Sequence, residues 1–152
     1  MRALIAWFRA RFRRETLPAH LALGRWGEEQ AAKALRREGL AILERNVRFG
    51  PREELDAVAY EKETETLVFV ETRTRASEAF GRPVETVDRK KRAHISRAAK
   101  SYLRRLRRKP KYFRFDVVEV VGTPGSPAPP LMNVKIYISS ASKTCSGFEK
   151  YS

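Results

Sequence analysis

The chain has 152 residues, 42% hydrophobic and 33% charged, which suits one domain with a real core and leaves too little for two. Lys plus Arg number 32 against 18 Asp plus Glu, so the net charge of +14 points to an anionic partner, nucleic acid before an acidic membrane surface. A single cysteine, Cys145, excludes an intrachain disulfide, and with only His20 and His94 beside it there is no zinc set, so any metal must be held by oxygen.

Residues 1–16 interleave Arg2, Arg9, Arg11, Arg13 and Arg14 with Leu4, Ile5, Trp7, Phe8 and Phe12, a pattern that fits a basic amphipathic arm or a terminal helix packed on the domain. The apolar run Ala3 to Phe8 is far short of the roughly 20 residues that span a bilayer. The expectation is a soluble, cytoplasmic protein with no integral membrane association: an arm over 1–19, one domain over 20–140 and a flexible tail over 141–152.

Within the domain, Leu23, Ala31, Ala34 and Leu35 predict a helix from about Gly24 to Arg37, ended by Gly39. Strands follow at Ala41 to Arg48, Glu54 to Tyr60 and Thr66 to Arg73, the last two as a hairpin. Asp88 is a plausible N-cap for a second helix, in which Ile95, Ala98, Ala99, Tyr102, Leu103 and Leu106 recur at helical spacing until Pro110. Strands at Phe113 to Val121 and Leu131 to Ile138 flank the loop Gly122 to Pro130. The order α-β-β-β-α-β-β is that of an α/β protein with a mixed sheet flanked by helices.

Charge is polarised along this order. Asp88 to Arg114 carries thirteen Lys or Arg and one acid, whereas six acids cluster between Glu53 and Glu65. A charge run is often only a solvated helix face, but like charges this dense repel unless something neutralises them. Nucleic acid is the expected partner, with Lys90, Lys91, Arg92, Arg97, Lys100 and Arg104 as candidate contacts.

If the hairpin turns between Glu63 and Thr64, Asp56 opposes Glu71, a like-charge pair that is unfavourable unless compensated. Arg73 projects on the same face as Glu71. Two readings stand at this point. One is a surface ion network worth under about 1 kcal/mol. The other is a Mg²⁺ or Mn²⁺ site, because Mg²⁺ takes one or two carboxylates plus waters and substrate phosphate. Glu28, early in the first helix, is either a third acid of that site or a carboxylate favoured by the helix N-terminus. His94 and Cys145 read as structural residues.

The motifs GRWGEEQAAKAL (24–35), GLAILERNVR (39–48), EELDAVA (53–59), LVFVETRTR (67–75), GRPVETVDRKKRAHISRAAKSYL (81–103) and RFDVVEV (114–120) occur in this order. Together they resemble the bacterial YraN-like family, which is similar to PD-(D/E)xK nucleases of the Holliday-junction-resolvase type. The resemblance implies a restriction-endonuclease-like core, Asp56 and Glu71 as metal-binding carboxylates, Glu28 as a supporting acid, and Lys91 facing nucleic acid or the site. Resolvase-like proteins commonly work as homodimers, so that assembly is implied as well.

The chain departs from the family pattern at Arg73, where the lysine of E-x-K is usual, and at Glu53, where glycine is usual. Arginine keeps the charge but does not give up its proton, so it stabilises charge without serving as a base. Two functions follow from these residues: a metal-dependent endonuclease acting on DNA, branched or damaged, or a catalytically impaired nucleic-acid-binding module that keeps the nuclease fold. A peripheral membrane protein using residues 1–16 is the third and weakest reading.

Overall fold

The computed structural model describes residues 18–77 and 89–126, and the backbone of 131–137. The basic arm, the Asp88 cap and the tail with Cys145 lie outside the described residues. The elements are α1 (Ala19–Arg37), β1 (Ala41–Gly50), β2 (Glu53–Glu61), β3 (Thr66–Arg75), α2 (Arg89–Arg105), β4 (Tyr112–Val121) and β5 (Leu131–Tyr137). This is the expected order, and the five strands form one mixed sheet in the order β1-β2-β3-β4-β5. The β3–β4 pair is parallel and the other three are antiparallel. A parallel pair needs a crossover, and α2 supplies it.

Side chains alternate along a strand, and here they sort into two cores. Val68, Val70, Val118 and Val120 pack with Ala31 and Leu35 of α1. Leu67, Phe69, Phe113 and Val117 pack with Ile95, Ala98, Ala99, Tyr102 and Leu103 of α2. The helices therefore cover opposite faces of the sheet. Phe69 centres the α2 side, edge-on to Tyr102 with ring centroids 5.9 Å apart and to Phe113 at 6.1 Å.

Helix α1 starts earlier than the periodicity from Gly24 indicates. The carbonyl of Pro18 accepts the amides of Leu21 and Ala22 at 2.9 and 3.0 Å, so good helix formers from Ala19 onward join the first turn. Its end is the one expected. Gly39 at φ 85° donates to the Arg36 carbonyl and Leu40 to that of Leu35, a Schellman stop sealed by the buried Leu35 and Leu40.

Helix α2 ends at Arg105, before the proline that was expected to stop it. Lys109 Nζ folds back onto the carbonyls of Leu103, Arg104 and Leu106 and satisfies the exposed helix terminus. The end of α2 is also tied to β1. The Tyr102 hydroxyl donates to Glu44 at 2.8 Å, and Arg105 reaches both Glu44 oxygens while lying over the Tyr102 ring at 4.8 Å. At the far end of the hairpin, Arg114 bridges the buried Asp116 at 3.1 Å and Glu61 at 2.8 Å. Burial pushes the Asp116 carboxyl up and the Arg114 charge opposes it. None of these ties was evident in the sequence.

One glycine sets the position of α1. A Cβ on Gly27 would lie 1.8 Å from Thr74 Oγ1, so helix backbone and the last residues of β3 approach as only glycine permits. Gly24, one turn earlier, has nothing within 4 Å of the same position. Gly27→Ala is therefore expected to lower stability by about 1–3 kcal/mol through forced displacement, whereas Gly24→Ala raises it by about 0.5–1 kcal/mol. Urea midpoints of the two variants check this, and equal effects would contradict it.

A buried carboxylate pair as candidate active site

Strand β2 pairs with β3 from Glu61↔Thr66 to Ala57↔Val70, every pair summing to 127, the register expected from a turn at Glu63 and Thr64. The reversal occupies Lys62 to Glu65, with Glu65 at φ 53°. The ladder ends one pair short of Asp56 and Glu71. Leu55 belongs to the α2-side core although Ala57, two residues on, belongs to the α1 side, so the alternation breaks at Asp56. The Asp56 side chain replaces the missing backbone partner, and its Oδ2 accepts the amide of Thr72 at 2.6 Å.

Glu71 lies beyond the hydrophobic run Leu67–Val70 and is itself only 8% exposed. Its Oε1 is 3.0 Å from Lys91 Nζ, whereas its Oε2 is buried without a hydrogen-bond partner. An unpartnered buried carboxylate oxygen is costly, and it marks a place where a cation or donor would be bound favourably. Burial pushes the Glu71 carboxyl up, and the charges of Lys91 and Arg73 pull it back. Asp56 is pushed up to about 7, by burial first and the Glu71 charge second, against the Thr72 amide and Lys91.

Sequence-predicted residues meet here unequally. Asp56, Glu71 and Arg73 form one group at the ends of β2 and β3. Glu28 comes from α1 on the other face, half-buried, and its charge adds a small upward push on Asp56. Its neighbour Glu29 is exposed and pairs with Lys33 at 3.4 Å, which separates the two acids. The close approach at Gly27 is what brings Glu28 to this end of the sheet.

The candidate nucleic-acid contacts divide as well. Lys90, Arg92, Arg97 and Arg104 are exposed along α2, and Lys100 is half-buried. Arg97 is also 3.5 Å from Glu53 at the start of β2, so this acid meets a cation of α2. Lys91 turns to the carboxylates. It lies one helical turn before the buried Ile95, and its contact with Glu71 was not readable from spacing: the resemblance alone set it toward nucleic acid or the site.

Among the described residues no group of three or more His, Cys, Asp and Glu is placed to hold a metal ion. The donor set is therefore two carboxylates, of which Glu71 offers an open oxygen, and this fits Mg²⁺ or Mn²⁺ completed by water and substrate phosphate. No helix among the described residues is long and apolar enough to cross a membrane.

The raised carboxyl has a pH signature. Asp56 goes from 3.8 to about 7 on folding, so between those values the folded chain binds more protons than the unfolded one. Its contribution is fully present below about pH 4 and is lost as pH rises through about 7. The metal-free protein is expected to lose stability across this window, and Asp56→Asn to flatten that slope. Denaturant midpoints measured against pH check it, and an unchanged slope in the variant would contradict it.

The model of the uncharacterised protein family UPF0102 matches residues 27–120, the stretch that holds Glu28, both site carboxylates and α2. A UPF0102 protein of Syntrophotalea carbinolica is 48% identical over 100 residues, 66% of this chain and 79% of the relative. One of Beutenbergia cavernae is 46% identical over 102 residues, 67% and 84% of the two chains, and one of Rhodopirellula baltica is 38% identical over 120, 78% and 70%. With the match covering β1 to β3, nearly all of β4, the second half of α1, all of α2 and the carboxylate pair, the chain belongs to UPF0102, the YraN-like family.

Proposed function

We propose that this protein is a metal-dependent phosphodiesterase acting on nucleic acid, an endonuclease on DNA, in the cytoplasm. The observation that carries this reading is the Asp56–Glu71 pair, two acids with raised proton affinity and one buried oxygen left without a partner. Structural ion pairs are normally satisfied, whereas sites that bind cations and substrates keep such unfilled acceptors. A divalent ion supplies Lewis-acid polarisation and a neutralising charge at the leaving oxygen. Asp56 and Glu71 hold that ion, and Glu28 adds negative charge on the α1 side.

Arg73 sits beside Glu71 on β3, and its fixed charge offsets negative charge growing on a phosphoryl group. Lys90, Arg92, Arg97, Lys100 and Arg104 on α2 take the nucleic-acid backbone next to the carboxylates. What supports the reading is that α2 carries these cations and also sets Lys91 against Glu71, so a backbone bound along the helix would lie near the acids that would hold the metal. Among the described residues no element is of a kind that reads base edges, so recognition rests on backbone charge and shape.

The test is nicking of supercoiled plasmid and cutting of a four-way junction with Mg²⁺, Mn²⁺ or EDTA. The native protein is expected to cut only with metal, and Asp56→Ala and Glu71→Ala to cut roughly 100-fold or more slowly, the order lost when one charge-stabilising group is removed. DNA affinity should fall with log salt by about 0.9 per phosphate contact, and less steeply in Arg104→Ala. Cutting by Asp56→Ala at the native rate would refute the site. Absence of cutting by the native protein, with activity gained in Arg73→Lys, would establish the impaired binding module instead.

A further inference from the structure

Lys91 is a candidate nucleic-acid contact whose side chain meets a site carboxylate. It comes from the first turn of α2, its Nζ lies 3.0 Å from Glu71 Oε1, and its side chain is still 40% exposed while that of Glu71 is 10% exposed. The two oxygens of Glu71 are therefore unlike: one holds an ammonium ion and the other holds nothing. An ammonium at this distance is a monovalent stand-in for the ion that two buried carboxylates need.

Resting on the metal-site reading above, we propose that Lys91 exchanges partners: it neutralises Glu71 in the metal-free site, gives that carboxylate up to a divalent cation taken at the open Oε2, and then contacts the substrate phosphate. Three features support the exchange. Lysine carries a compact charge on a flexible stem, so it can leave one oxygen and reach another several ångströms away. Its partial exposure keeps the pair weak enough for a divalent ion to displace it. Its neighbours Lys90 and Arg92 are exposed, so a Lys91 released from Glu71 joins the cations that meet a phosphate backbone. Arg73 stays beside Glu71 on its strand, and the mobile cation thus comes from the helix.

The exchange is tested by Mn²⁺ binding, read from the paramagnetic resonance signal of free Mn²⁺, on the full chain at low ionic strength. Native protein is compared with Lys91→Met, Lys91→Arg and Lys111→Met. Lys111 pairs with the exposed Glu65 at the other end of β3 and controls for net charge. Loss of the competing ammonium is expected to tighten Mn²⁺ binding about three- to tenfold in Lys91→Met. Lys91→Arg should stay near the native value and Lys111→Met within about twofold of it.

In the same preparations, plasmid nicking by Lys91→Met should fall about tenfold or more although the ion is held more tightly. Mn²⁺ affinity that is unchanged or weakened in Lys91→Met, or nicking at the native rate, overturns the exchange and leaves the metal site standing. Failure of the native protein to bind Mn²⁺ overturns both.

Discussion

Two carboxylates brought together on the inner strands of a hydrophobic sheet repel each other, and the neighbourhood of Asp56 and Glu71 is arranged around that repulsion. Water would screen the pair on an exposed hairpin, but burial removes most of that screening and raises the proton affinity of both acids. Three groups answer: the Thr72 amide on Asp56, Lys91 on Glu71, and the Arg73 charge beside them. They leave one oxygen unmet, and the chemistry assigned to the site turns on that shortfall.

The fold delivers these groups from both sides of the sheet. Helix α1 approaches β3 through Gly27, and the next residue is Glu28. Helix α2 crosses the opposite face with Lys91 in its first turn, while Glu44, Tyr102 and Arg105 anchor its last turn to β1. Between the helices, the β2–β3 ladder stops just where the acids begin, and a side chain replaces a backbone acceptor. The site is thus a controlled failure of strand pairing, flanked by two helices that each contribute one charged residue.

Much of this was legible in the sequence, and the limits are physical. Alternation and turn chemistry are local, so the hairpin register from Glu61↔Thr66 to Ala57↔Val70 could be read from the spacing of the strands, whereas the break in the ladder before Asp56 and Glu71 could not. The Gly39 stop of α1 was equally local. Tertiary contacts were not: the close approach at Gly27, the lysine that ends α2 before Pro110 and the Arg114 bridge between Asp116 and Glu61 join residues with no common spacing. Lys91 falls between these cases. The family resemblance set it toward nucleic acid or the site, and which of the two it meets depended on where α2 lies on the sheet.

Arg73, at the position where the resemblance leads one to expect lysine, then has a physical reading. An arginine on β3 keeps a permanent charge next to the acids, and a lysine stands within reach on α2, so the two properties of one residue are divided between two elements. Each of these roles requires the pair to be a cation site. The most direct measurement is anomalous diffraction from crystals of the protein grown or soaked with Mn²⁺. It is expected to show one strong peak between Asp56 and Glu71 in direct contact with Glu71 Oε2, absent in Asp56→Ala. A peak confined to other acids, or none at this pair in well-ordered crystals, would contradict it.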